Sequence, residues 1–159
     1  MIPGTLAARI FVLTQRLLPQ HALSRCIHAL ARVRLPGIKN ALIRGFVHGF
    51  KPVMADARQP DPLAYESFNA FFTRELAAGA RPPPQDPLAV ASPVDGTISQ
   101  IGYLDGQSLL QAKGRRFTLA ALLGGSAAQA AQFADGAFAT LYLAPFNYHR
   151  IHMPLAGRL

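Results

Sequence analysis

The fold class is decided by Thr97-Ile98-Ser99-Gln100-Ile101-Gly102-Tyr103. Apolar and polar residues alternate in this stretch with a period of two, which predicts a β-strand with two different faces. A second strand is predicted over residues 137–143, between the turn Asp135-Gly136 and Pro145. Strands this short, separated by turn residues, are typical of an antiparallel β-rich unit.

Shorter elements are predicted around these two strands. Asp95-Gly96 is predicted to be a turn, and Asp105-Gly106 is predicted to close a hairpin. The remaining predicted elements are extended segments over residues 89–92, 108–112 and 148–153, a short helix capped by Thr118 that ends at Gly124, and a helix over residues 127–133. The second half of the chain should therefore consist of strands with short helices between them.

The first half has a helical pattern instead, because apolar residues recur there every three or four positions. The predicted helices are residues 6–17, a stretch after Pro19 with Leu23, Ile27 and Leu30 on one side, residues 38–50 ending before Pro52, and residues 65–76 with Phe68, Phe71, Phe72 and Leu76 on the buried face. Arg81-Pro82-Pro83-Pro84 then stops regular structure. We therefore predict an α+β protein, with amphipathic helices over 1–80 and an antiparallel β-rich core over 81–159.

Composition excludes several classes of protein. Half of the 159 residues are apolar and only 15% are charged, which excludes a disordered, highly charged tail. Cys26 is the only cysteine, so the chain has neither an internal disulfide framework nor a cysteine-based zinc site. His149 and His152 form a His-x-x-His pair that lacks the intervening Glu of a zinc motif. No metal site is therefore predicted.

The net charge of +8 belongs to the first third of the chain. Residues 1–55 contain eight Lys or Arg residues and no acidic residue, whereas from Asp56 onward eight basic residues balance eight acidic ones. Basic amphipathic helices favour the surface of an anionic membrane, where each cation near the bilayer contributes about 1 kcal/mol. No stretch has the 18 to 20 uncharged apolar residues of a spanning helix.

The basic helices are also compatible with three further roles. Their apolar faces could pack on the protein's own core, or the segment could be an Arg-rich transit peptide. Nucleic acid would attract the same charge, but the region lacks interleaved exposed aromatic and base-reading polar side chains. We favour the membrane surface and do not expect a nucleic-acid partner.

Asp95, His149 and His152 stand out as polar side chains in apolar surroundings. The ordinary interpretation is a turn-forming aspartate and two histidines that are satisfied by local hydrogen bonds. In an extended chain, residues three apart point to opposite faces, so the two histidines should have different roles. A histidine oriented by an aspartate can act as a general base, but no serine in the sequence is an obvious nucleophile.

Four blocks of the sequence resemble the phosphatidylserine decarboxylase proenzyme family, in the family's order and spacing. They are residues 68–76 (FNAFFTREL), 92–100 (SPVDGTISQ), 110–114 (LQAKG) and 142–154 (YLAPFNYHRIHMP). The basic N-terminal region is similar to the family's membrane-associating region in its charge and amphipathic pattern rather than in the identity of its residues. Any single block is weak support, whereas four blocks in order are specific.

The resemblance implies a self-cleaving enzyme that converts phosphatidylserine to phosphatidylethanolamine and CO2. In the family, the serine of a Gly-Ser pair near the C-terminus becomes a covalent pyruvoyl group, which accepts the headgroup amine and the electrons released with CO2. His152 corresponds to the base that deprotonates this serine, and Asp95 to the residue that orients it. His149 corresponds to the histidine associated with decarboxylation. The enzyme is expected at the cytoplasmic side of the cell membrane as a peripheral protein.

One part of the family pattern is not found. The Leu-Gly-Ser-Thr block that provides the pyruvoyl group has no counterpart after His152, and Gly125-Ser126 fits a helix end with a linker better. We therefore expect the chain to be the front portion of a proenzyme, with a β-core incomplete at its C-terminal edge and no cofactor-binding residue of its own. Its expected partners are an anionic phospholipid membrane and the missing C-terminal small chain, and a homo-oligomer is compatible with the sequence.

Two different functions are compatible with parts of the sequence. A non-catalytic barrel-sandwich module of the lipoyl or biotinyl carrier kind would need a lysine on an exposed hairpin, and Lys113 is the only lysine after Lys51. The other is a basic protein that binds the membrane surface. The β-core itself is predicted to be barrel-sandwich-like in either the enzyme or the carrier.

Overall fold

The computed structural model describes residues 19–86, 88–104, 110–112 and 115–155. The chain divides into two compact units, of which one ends at Arg81 and the other begins at Pro82. The first unit is helical and the second contains the strands. The mixed helical and antiparallel architecture confirms the prediction of an α+β protein.

Two amphipathic helices open the described part of the first unit. Helix α1 covers Gln20–Ala31 and helix α2 covers Pro36–Phe50. Pro36 occupies the first turn of α2, where its missing N–H is not needed, and Lys51 caps the end of α2 immediately before Pro52. The predictions for these two helices are confirmed, whereas the helix predicted over residues 6–17 lies outside the described residues.

The core of the first unit is a cluster of aromatic rings between α2 and helix α3, which covers Phe68–Phe72. Phe46 of α2 contacts Phe68, Phe71 and Phe72 of α3 edge-on, with ring centroids 5.4–5.8 Å apart. Phe71 is fully buried, as is Ile43 of α2. Lys39 also joins α2 to a short 3-10 turn at Pro62–Ala64 by donating to the Leu63 carbonyl.

Helix α3 is shorter than the helix predicted over 65–76. Ser67 caps its N-terminus by accepting from the Ala70 N–H, and Thr73 ends it. Leu76 lies beyond the helix and pairs with Ala57 in an antiparallel bridge. The prediction was wrong for residues 65–67, which precede the Ser67 cap or form it, and for residues 73–76, where pairing with a distant segment replaced the helical continuation.

The described residues of the second unit form two two-stranded antiparallel sheets. Strand β1 (Thr97–Tyr103) pairs with β4 (Ala137–Tyr142), and β2 (Leu110–Ala112) pairs with β3 (Arg115–Phe117). The register of β1 and β4 runs from Thr97↔Tyr142 to Tyr103↔Ala137, with a bulge between Ile98 and Gln100. The first and last strands of the unit are therefore neighbours.

Two short helices lie between β3 and β4 in the sequence. Helix α4 covers Leu119–Leu122 and is capped by Thr118, as predicted, and Gly124 follows with a positive φ of 76°. Helix α5 covers Ala127–Ala131, shorter than predicted. Residues 89–92 and 148–153 were predicted as extended segments, but neither forms a strand. The Asp105-Gly106 turn lies outside the described residues.

Candidate functional site

The candidate site lies where two segments leave the same end of the β1·β4 sheet. Thr97 begins β1 opposite Tyr142, the last residue of β4. The segment before Thr97 and the segment after Tyr142 are therefore next to each other where they meet the sheet. Gly96 is packed tightly there, because a β-carbon at this position would lie 2.7 Å from the Tyr142 carbonyl oxygen. The glycine after Asp95 is needed for this close approach rather than for a hairpin turn.

The two segments are joined further on by backbone hydrogen bonds. The N–H of His152 donates to the carbonyl of Pro93 at 2.8 Å, and the N–H of Ala91 donates to the carbonyl of Pro154 at 3.1 Å. Both bonds link residues that are about 60 positions apart in sequence. The backbone of His152 is thereby bonded to Pro93, which is two residues before Asp95 in the sequence.

Asp95 is the last residue of a bend over residues 93–95. The hydroxyl of Ser92 donates to the carbonyl of Val94 at 2.7 Å, which closes the bend. Gly96 follows in close contact with β4. Asp95 is half-buried. The backbone of Asp95 is therefore held on both sides, by the closed bend before it and by the contact of Gly96 with β4 after it.

A second turn leads from β4 to the histidines. The Ala144 N–H donates to the side-chain oxygen of Asn147 at 2.7 Å, and the Asn147 N–H donates back to the Ala144 carbonyl at 2.9 Å. Ala144 and Tyr148 are both buried, at 9% and 6% exposure. The turn is therefore anchored by a buried residue on each side. The segment that contains His149 and His152 begins at this anchored turn.

His149 is half-buried and its ring is oriented by the backbone. Its Nδ1 atom lies 2.9 Å from the carbonyl oxygen of Asn147. A carbonyl can only accept, so Nδ1 carries the hydrogen in this bond. In the neutral ring the lone pair of His149 is then on Nε2.

His152 is exposed and its ring rests on Tyr148. The Tyr148 hydroxyl lies 2.8 Å from His152 Nε2, and the two rings stack with centroids 5.5 Å apart and 22° between their planes. The imidazole is thus held at its backbone by Pro93 and at its ring by a buried phenol. Tyr148 was part of a quoted motif in the sequence, but nothing in the spacing singled it out.

The structure brings together the segments of the three predicted residues at one end of one sheet. The two histidines have different partners, Asn147 for His149 and Tyr148 for His152. Among the residues that the structure describes, no cluster of three His, Cys, Asp or Glu residues could hold a metal ion. The chemistry that this arrangement could support is proton transfer by the imidazoles of His149 and His152, close to the bend that contains Asp95.

Ser126 has a structural role in the fold. Its hydroxyl accepts from the Gln129 N–H at 3.2 Å and caps α5. It follows Gly124 and Gly125, both with positive φ, in the connection between α4 and α5. The only Gly-Ser pair of the sequence is therefore engaged in helix capping rather than presented as a nucleophile.

Helix α1 presents an unusual apolar surface. Leu23, Ile27 and Leu30 are 48%, 57% and 45% exposed, and no residue of the helix is buried. Arg25 lies within the helix, and Arg32 is the residue that caps its C-terminal end. The apolar residues of α1 are thus left largely accessible, in contrast to Ile43 of α2. None of the helices in the described ranges is long and apolar enough to cross a bilayer.

Comparison with known proteins identifies the family. Residues 68–159 match the family model described as phosphatidylserine decarboxylase, and residues 10–51 match a model described as PSD. The chain belongs to the phosphatidylserine decarboxylase family. The match includes the bend with Asp95, the turn at Asn147 and both histidines. It favours the enzyme family over the carrier module and the nucleic-acid-binding protein.

Curated relatives support the same assignment. The chain is 54% identical to the phosphatidylserine decarboxylase proenzyme of Alkalilimnicola ehrlichii over 89% of its own length and 49% of the relative's. It is 52% identical to that of Azotobacter vinelandii, covering 95% of the chain and 53% of the relative. For Methylococcus capsulatus the identity is 48% over the whole chain and 55% of the relative. The chain spans about half the length of these relatives.

Proposed function

We propose that this chain supplies the proton-transfer residues of a self-cleaving, pyruvoyl-dependent phosphatidylserine decarboxylase, which forms phosphatidylethanolamine and CO2. In this proposal His152 takes the proton from the hydroxyl of the cleavage serine, and Asp95 orients the imidazole and stabilises its charged form. The hydrogen bond from the His152 N–H to the Pro93 carbonyl is the observation that carries the proposal. It ties the base to the segment that bears the carboxylate.

His149 has the second role, at the carbon that loses CO2. A protonated group must deliver a hydrogen to that carbon to complete the product. The Nδ1 atom of His149 is engaged with the Asn147 carbonyl, so Nε2 is the atom that would deliver the proton. The different partners of the two histidines support the separation of cleavage from decarboxylation.

The cleavage serine is proposed to come from a segment other than the one that contains Gly125-Ser126. The hydroxyl of Ser126 caps α5, so the described residues fit the base and its orienting residue but offer no serine that fits the pyruvoyl precursor. When formed, the pyruvoyl group supplies a carbonyl that withdraws electrons as CO2 leaves. The C-terminal small chain of the family would bring this serine to Nε2 of His152.

Exposed apolar residues on the sheet support such a partner segment. Ile98, Ile101 and Tyr103 of β1 are 57%, 71% and 85% exposed. A two-stranded sheet alone is marginally stable, and further strands or a covering layer would bury these side chains. We propose that the small chain completes this sheet into a barrel-sandwich-like core.

The location proposed for the enzyme is the cytoplasmic side of the cell membrane, as a peripheral protein. Helix α1 carries exposed apolar side chains and basic residues, in a region of the sequence without acidic residues before Asp56. Anionic phospholipids would attract the cations while the apolar side chains enter the headgroup boundary. A homo-oligomer is compatible with this arrangement.

A chimera tests the proposed function. The chain is joined in frame to the part of the Methylococcus capsulatus relative that it does not cover, and cleavage is followed by mass spectrometry. We expect cleavage at a Gly-Ser bond, a pyruvoyl-blocked small chain and conversion of phosphatidylserine to phosphatidylethanolamine. Asp95→Asn and His152→Ala should each slow cleavage by at least about 100-fold.

Asp135→Asn is the matched control, because Asp135 is an exposed carboxylate in the same unit. This variant should cleave at the normal rate. Cleavage of the His152→Ala chimera at the rate of the unsubstituted chimera would remove His152 from the reaction. An uncleaved but soluble parent chimera would refute the proposed self-cleavage.

A further inference from the structure

The buried hydroxyl of Tyr148 occupies the nitrogen of His152 that general-base chemistry would use. It lies 2.8 Å from Nε2, within ordinary hydrogen-bond distance. Tyr148 is only 6% exposed, whereas His152 is exposed. The rigid member of the pair is therefore the phenol, and the imidazole takes its orientation from it.

Tyr148 has anchors other than its stacking contact with His152. The two hydrogen bonds between Ala144 and Asn147 fix the residue immediately before Tyr148, and burial fixes its ring. On the other side, the His152 backbone is held by Pro93. The hydroxyl and Nε2 thus meet because each is anchored by a different part of the unit.

The bond favours one form of the imidazole ring. A tyrosine hydroxyl can donate and accept, but among the described residues Nε2 of His152 is the one partner of this buried hydroxyl, so its hydrogen is satisfied only when the hydroxyl donates. When it donates to Nε2 of neutral His152, the ring hydrogen must be on Nδ1. This is the tautomer in which a carboxylate accepts from Nδ1–H and Nε2 has the lone pair that removes a serine proton.

We propose that Tyr148 is a positioning residue for His152. Its hydroxyl holds the imidazole in the Nδ1–H tautomer and keeps Nε2 at the place where the serine hydroxyl of the cleavage site enters and replaces it. The inference rests on the proposed function for the role of the serine. The tautomer itself is a property of the 159-residue chain and can be measured without any cleavage.

The test is nitrogen NMR of the histidine rings at pH 8, above the reference pKa of about 6.5 for histidine in model peptides. In the 159-residue chain we expect Nδ1 of His152 to show the shift of a protonated nitrogen and Nε2 that of an unprotonated one. Tyr148→Phe keeps the buried ring and removes the hydroxyl. The ratio of Nδ1–H to Nε2–H in His152 should then fall about fivefold, the effect of one neutral hydrogen bond.

His149 is the internal control in the same spectra, because its Nδ1–H donates to the Asn147 carbonyl rather than to Tyr148. Its nitrogen shifts should not change in Tyr148→Phe, which also reports that the turn is still folded. An Nε2–H tautomer for His152 in the unsubstituted chain would overturn the inference. So would a Tyr148→Phe variant whose His152 shifts are unchanged while His149 is intact.

The chimera separates this inference from the proposed function. If Tyr148→Phe changes the His152 tautomer and slows cleavage several-fold, both are supported. If the tautomer changes but the parent chimera does not cleave, positioning by Tyr148 holds and the proposed function fails. Unchanged cleavage in Tyr148→Phe beside a changed tautomer would overturn the placement of Nε2 for the serine.

Discussion

A β-carbon added at Gly96 would lie 2.7 Å from the carbonyl oxygen of Tyr142, and the obstructing atom belongs to the backbone of β4. This contact sets the distance between the Asp95 bend and the strand that leads to the histidines. It also accounts for the glycine after the aspartate, since a residue with a side chain cannot approach a neighbouring strand so closely.

Gly96→Ala should therefore push the bend away from β4. We expect a loss of about 1–3 kcal/mol in the free energy of unfolding, the usual range for an overpacked position. Gly102→Ala is the matched control in β1, the strand that follows Gly96, because its added carbon would meet the ring of Phe138 at 3.3 Å, and a side chain can move. Urea unfolding would contradict the interpretation if Gly102→Ala cost as much as Gly96→Ala.

The aromatic cluster of the first unit should dominate its stability. Phe71 of α3 is fully buried and contacts Phe46 of α2, whereas Phe50 belongs to the same cluster but is 46% exposed. Phe71→Ala should cost about 3–5 kcal/mol, since it removes a buried ring and leaves a cavity. Phe50→Ala should cost clearly less. Equal losses in chemical denaturation would show that the cluster is not centred on Phe71.

Helix α2 contains a glycine that can be replaced to advantage. Gly45 is a helical residue, and an added β-carbon would meet nothing within 4 Å. Gly45→Ala should stabilise the chain by about 0.5–1 kcal/mol, because alanine loses less conformational freedom in a helix. Gly79→Ala is the contrasting variant, since Gly79 has a φ of +77° that alanine tolerates poorly. A higher melting temperature for Gly79→Ala than for Gly45→Ala would contradict this reasoning.

Local sequence signals predicted the elements whose causes are local. The apolar period predicted helices at α1 and α2, the alternation predicted β1, and Thr118 identified the start of α4. What could not be predicted depends on contacts between distant residues. The helix predicted over residues 65–76 ends at Phe72, because Leu76 pairs with Ala57 instead of continuing the helix.

The candidate site shows the same division. Asp95, His149 and His152 were singled out because of their surroundings and the family motifs, and their joint role in catalysis is still a prediction. Tyr148 was missed because its contact with His152 arises from the turn at Asn147 and from the Pro93 carbonyl. Residues four apart share a face in a helix or a strand, but residues 148–153 form neither element, so neither period accounts for the contact.

The apolar side of α1 should control binding to anionic vesicles. Leu23 and Ile27 are about half exposed, so replacing both by serine should leave folding unchanged. Binding to vesicles with 30% phosphatidylserine should fall by at least about tenfold, because two apolar side chains no longer leave water. Vesicle flotation measures this effect directly.

Ser24→Ala is the control for that experiment, since it changes a polar residue of the same helix. It should bind as the unsubstituted chain does. Binding should also weaken in 0.5 M salt, which screens the cations of α1 and α2. Equal flotation with neutral and anionic vesicles would contradict the electrostatic part of the proposed membrane contact.

The two histidines should separate the two chemical steps in the chimera. His152→Ala removes the proposed base, so the chain should stay uncleaved and inactive. His149→Ala leaves His152 and its contact with Tyr148 in place, so cleavage should continue within about threefold of the normal rate while decarboxylation falls by at least about 100-fold. Mass spectrometry measures the cleaved fraction, and release of labelled CO2 from phosphatidylserine measures decarboxylation. If His149→Ala blocked cleavage as fully as His152→Ala, both histidines would serve the cleavage step, and the separate orientations of their rings by Asn147 and Tyr148 would not correspond to separate reactions.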